Sequence, residues 1–92
     1  MAAWNEDEWG TLTTEIGDWK IEIRRYMNDS KVSINAYEPN SYSDLHIDLE
    51  DGIYVRGESP GIYSNFPETV NLSWSVIEAI IEARDIARKM TE

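Results

Sequence analysis

Asp44, His46, Asp48 and Glu50 alternate with apolar residues along one stretch of the chain. Carboxylates and an imidazole are groups that divalent cations bind. Paired carboxylates can also divide general acid and base roles, provided a pocket raises the pKa of one of them. The spacing argues against both. Residues at i, i+2 and i+4 of a strand point the same way, several ångströms apart, and do not converge. His46 is the only histidine, which excludes a two-His-one-carboxylate site within one chain. A calcium loop with Gly52 at its sixth position would need an acid where Ile47 stands. The five glycines, at 10, 17, 52, 57 and 61, are scattered turn punctuation and make no phosphate-cradling loop. With no cysteine, there is no thiol nucleophile, disulfide framework or zinc thiolate site. No catalytic residue, metal or cofactor is therefore expected, and the protein reads as a non-enzyme. The alternating acids read as a solvated strand face.

Charge narrows the partners. The 92 residues carry 8 Lys+Arg against 18 Asp+Glu, a net −10. A general nucleic-acid binder needs a basic face, and an anionic membrane would repel this chain. No apolar run approaches the roughly 20 residues of a membrane span. The acidic N-terminal stretch lacks the apolar core of a secretory signal, so a cytoplasmic location is expected. The excess is unevenly spread. Residues 1–37 hold seven acids and four bases, 38–71 seven acids and one base, and 72–92 four acids and three bases. The field thus concentrates in the middle of the chain, where it could steer the protein towards a basic surface.

Hydrophobic residues make up 41% of the chain and include four Trp, enough to fold one domain over residues 1–92. Residues 1–8 are the stretch expected to be loosest. Strands are expected at about 11–16, 19–26, 31–37, 45–49 and 53–56, from apolar residues recurring with period 2. A two-residue turn at Gly17-Asp18 pairs Ile16 with Trp19, Thr14 with Ile21 and Leu12 with Ile23. A turn at Asn28-Asp29 pairs Ile23 with Ile34 and Ile21 with Ala36. For the last hairpin, a two-residue Asp51-Gly52 turn would throw Ile53 outward. A three-residue loop, Glu50-Asp51-Gly52, sets Leu49 opposite Ile53 and keeps the apolar face intact. That register also sets His46 across from Arg56. A helix over about 74–90 follows from Val76, Ile77, Ile80, Ile81, Ala83, Ala87 and Met90. Its start is either a Ser75/Glu78 capping box, or Ser73 as cap with Leu72 stapled against Ile77. The expected fold is α+β: an antiparallel β-meander of about five strands with one C-terminal helix packed on one face.

Two further stretches carry aromatic residues. The long link 57–71 contains Pro60-Gly61, then Ile62, Tyr63 and Phe66 beside Glu58 and Glu68. Such loops often bind, so Tyr63 and Phe66 are candidate anchors. In Trp4-Asn-Glu-Asp-Glu-Trp9, Trp9 is expected to begin the first strand inside the core. Trp4 is expected either to cap the core edge or to sit in an acidic-aromatic interaction segment.

In size, acidity, lack of cysteine and its sheet-plus-helix plan, the chain resembles small acidic inhibitors encoded by phages and mobile elements, the anti-CRISPR and anti-restriction proteins. The resemblance is one of whole-chain style and transfers no residue. It implies a phage protein in the host cytoplasm that occupies a nucleic-acid site on a defence nuclease with carboxylates in place of phosphates. The expected function is thus a non-catalytic inhibitor or adaptor binding a basic protein surface, with no direct contact to nucleic acid or membrane. The partner-binding residues are expected to be Asp44, Asp48, Glu50, Asp51, Glu58, Tyr63 and Phe66. The alternatives are an immunity-type protein that neutralises a basic toxin, and a structural homo-oligomerisation module, such as a dimer through a strand edge.

Overall fold

The computed structural model describes residues 2–25, 31–38, 43–57 and 72–91. Among these residues, six strands form one antiparallel meander in the order of the chain: β1 (Asn5–Glu6), β2 (Leu12–Ile16), β3 (Trp19–Arg25), β4 (Val32–Tyr37), β5 (Ser43–Asp48) and β6 (Gly52–Gly57). The helix α1 (Trp74–Thr91) packs over β2, β3 and β4. The α+β plan matches the sequence expectation, with β1 as an additional two-residue edge strand. Parity decides the β2–β3 and β3–β4 registers. Ile16 faces Trp19, Thr14 faces Ile21 and Leu12 faces Ile23. Ile23 faces Ile34 and Ile21 faces Ala36. Gly17 has φ 61°, the positive value that the first central position of a type II′ hairpin turn requires.

The inner sheet face buries Trp19, Ile21, Ile23, Ile34, Ala36, Leu45 and Ile47. Against them the helix sets Val76, Ala79, Ile80, Ala83 and Ala87. The three alanines recur every fourth residue, so they form one stripe along the helix. Their small side chains let the helix backbone come close to the branched isoleucines of β3 and β4. Interdigitation of large with small is how a core reaches native density. Thr14 is buried on this apolar face, and its hydroxyl donates to the Ala3 carbonyl at 2.8 Å. Ser73 is the helix cap. Its hydroxyl accepts from the Val76 amide and its carbonyl from the Ile77 amide. Leu72 packs on the core.

Two expectations are corrected. In the last hairpin, Ile47 faces Ile53 and Asp48 faces Gly52, so the loop is Leu49-Glu50-Asp51 and the register lies two residues from the expected one. His46 accordingly faces Tyr54, and Arg56 faces Asp44. The cause is Asp48, whose Oδ1 accepts from the amides of Glu50 at 2.8 Å and Asp51 at 2.9 Å and so turns the chain immediately after itself. Gly52, at φ 139°, closes the loop. A two-residue shift preserves parity, so the apolar residues keep their face. The second correction is Trp9, which is 71% exposed in the β1–β2 connection and not in the core. An aspartate is again the cause: Asp7 Oδ1 accepts from the amides of Trp9 and Thr11 and folds the connection outward.

Candidate functional site

Of the seven expected partner-binding residues, the fold gathers Asp48, Glu50 and Asp51 on the β5–β6 turn. Asp44 sits four residues earlier on β5, roughly 13 Å away at strand rise, opposite Arg56. Glu58, Tyr63 and Phe66 lie outside the described residues.

The three turn acids play different parts. Glu50 and Asp51 are exposed. The Asp48 carboxylate is occupied by the turn, and hydrogen bonds from the Asp51 and Glu50 amides hold it below the usual carboxylate range. Asp48 thus shapes the turn, while Glu50 and Asp51 present charge. The helix fixes the turn from beneath: Arg84 Nε donates to the Leu49 carbonyl at 3.1 Å and Arg88 Nη2 at 3.3 Å. Two guanidinium groups therefore stand at the base of the turn and offset part of its charge. In the sequence, Arg84 and Arg88 are late-helix cations suited to the helix dipole. Their partner, a backbone carbonyl, leaves no side-chain signal in the sequence.

Beside this turn lies a groove of about 160 Å³ between the helix and β6, bounded in part by Ile53 and Ile81. Both were counted as inward-facing, yet Ile53 is 49% and Ile81 53% exposed. Among the described residues the helix covers β2 to β4, and the inner face reaches β6 without the same cover from the helix.

The opposite sheet face carries a second polar cluster. Glu22 is buried there, accepting from the Tyr37 hydroxyl at 2.7 Å and from Arg24 Nε at 2.9 Å. Burial pushes the Glu22 carboxyl up, but those two bonds and the charges of Arg24 and Lys20 outweigh it and hold the group below its usual value. Burial, with the bond to Glu22, pushes the Tyr37 phenol up to about 12. Glu22 faces Asn35, so Tyr37 is its diagonal neighbour, within the reach of long side chains across a strand pair. His46 Nδ1 lies 3.3 Å from Asn35 Oδ1 in the same row.

A third device ties the N-terminal segment to the helix. Glu82 accepts from the Ala2 amide at 3.1 Å and from Trp4 Nε1 at 3.0 Å. These bonds hold its carboxyl below the usual range, and Trp4 packs on the core edge. Among the described residues, no group of three or more His or acidic side chains is placed to hold a metal ion. Nor is any described helix long and apolar enough to cross a membrane. No protein-family model, curated protein or solved structure matches the chain.

Proposed function

We propose that this protein is a non-catalytic inhibitor or adaptor that binds a basic protein surface through the acidic β5–β6 turn. One observation carries the reading: Glu50 and Asp51 project from a turn braced on both sides, by Asp48 within the hairpin and by Arg84 and Arg88 from the helix. Charges held in place steer encounter and pay little ordering entropy on contact. A basic nucleic-acid-binding site on a defence nuclease is a target of the right sign, and a basic toxin neutralised by an immunity-type protein is another. Affinity capture from the source cell and its competitors, followed by association kinetics at rising salt, tests the reading. The wild type should retain a basic protein, and Glu50→Lys with Asp51→Lys should slow association and flatten its salt dependence. A partner bound equally by both forms at every salt concentration would sink the idea.

The homo-oligomer reading has its own support. Among the described residues β6 pairs only with β5, and it exposes half of Ile53 and half of Tyr54. Size-exclusion chromatography over a concentration series separates this reading from a monomer that acts on a foreign partner.

A further inference from the structure

The turn and the groove beside it are one surface. Ile47 and Ile80, each 3% exposed, form the buried part of the groove, while Ile53 from β6 and Ile81 from α1 stand half exposed around it. The lining also includes the three turn carboxylates against the single guanidinium of Arg84. Apolar contact surface bordered by net negative charge is complementary to an apolar side chain flanked by cations.

We infer that this groove receives one aliphatic side chain of a basic protein partner, with Lys or Arg neighbours of that side chain reaching Glu50 and Asp51. The inference rests on the proposed partner-binding reading and adds the anchor to it. Charge on the turn governs how quickly the partner arrives, and the groove governs how long it stays. Interface energy concentrates in a few apolar anchors seated in pockets, while rim charges act mainly on association. A second copy of this chain is a poor occupant, because it would bring its own −10 charge to an acidic rim.

The test uses two blocked synthetic peptides, Lys-Arg-Leu-Arg-Lys and Lys-Arg-Ala-Arg-Lys, titrated into the full chain labelled at the isoleucine δ-methyl groups. The leucine peptide should shift the Ile53 and Ile81 methyl signals and bind roughly tenfold more tightly than the alanine peptide, the size expected for burying the extra carbons. Ile81→Ser and Ile53→Thr should remove that preference while the amide spectrum stays folded. Glu50→Lys with Asp51→Lys should weaken both peptides alike. Equal affinity for the two peptides would overturn the groove and leave the acidic turn standing. Leucine preference that survives the double charge reversal, with no change in either affinity, would keep the groove and remove the electrostatic reading. Overhauser contacts in the free protein from Ile53 and Ile81 to residues 58–71 would show the groove filled from within, and would also overturn the inference.

Discussion

Arg84 donates to the carbonyl oxygen of Leu49 across a separation of 35 residues, and Arg88 donates to the same oxygen from one helical turn further on. A helix and a hairpin turn are thereby joined through a backbone atom whose position no substitution at residue 49 would remove. The arginines have two opposed effects. They order the turn that presents Glu50 and Asp51, and they cancel part of its charge.

Arg84→Ala with Arg88→Ala should therefore lower stability by about 1–2 kcal/mol, the size expected for partly exposed bonds from a charged donor. Urea denaturation measures it. The same variant should bind the basic leucine peptide faster at low salt, because the remaining carboxylates are less offset. An unchanged denaturation midpoint would mean that the turn stands without the helix.

Asp48 and Glu82 both carry depressed pKa values because backbone or side-chain N–H groups donate to them. A depressed folded-state value stabilises the fold above the unfolded pKa and ceases to do so as pH falls through the folded one. The chain should thus lose stability on acidification below about pH 4, the ordinary carboxylate range. Asp48→Asn keeps an acceptor for the turn amides but does not titrate. Its thermal midpoint should fall less steeply between pH 5 and pH 2 than that of the wild type, in about the span where carboxylates protonate.

Tyr37 titrates in the opposite direction. Its folded pKa of about 12 lies above the unfolded value, so its contribution is complete below about pH 10 and is lost as pH rises towards 12. Absorbance at the tyrosinate band should show a phenol ionising at about pH 12, and Tyr37→Phe should abolish that step. The same substitution removes a donor from buried Glu22, so the carboxyl should titrate at higher pH. Carbon-detected NMR of Glu22 reads that change directly.

The alanine stripe of the helix sets the depth of the core. Ala83 is fully buried against the sheet, so Ala83→Leu should overpack and lower stability by about 1–3 kcal/mol. Ile34→Ala, at the centre of β4, should leave a cavity and lower it by about 2–5 kcal/mol. Denaturant midpoints for both, with an unchanged m-value for the second, check the assignment.

Much of this architecture was legible in the residues because side-chain parity is binary. Leu12, Thr14 and Ile16 can meet Trp19, Ile21 and Ile23 only in registers that keep every apolar residue on one face. Parity is blind to a shift of two. That is why Leu49 opposite Ile53 was expected where the fold places Ile47 opposite Ile53, and an aspartate side chain bonding to two amides made the choice. Asp7 and Asp48 act alike here, each capping the turn that follows it. Asp7 sends Trp9 into solvent even though large aromatics are usually buried. Of the candidate surface, the acids at 48, 50 and 51 were found because charge is written in the sequence. The exposure of Ile53 and Ile81 was not, since it depends on how far across the sheet the helix lies.

The two edges of the sheet are unequal. Among the described residues, β1 forms one edge with two residues, Asn5 and Glu6, followed by Asp7 and Glu8, and β6 forms the other with six, Ile53 and Tyr54 among them. Fibre growth by strand addition needs an open edge at each end of every subunit. Here two copies meeting edge to edge about a two-fold axis would use up the long edges and leave only the short, charged ones outside. Among the described residues, strand addition through the long edge therefore ends at a pair, where a sheet with two long edges could go on growing.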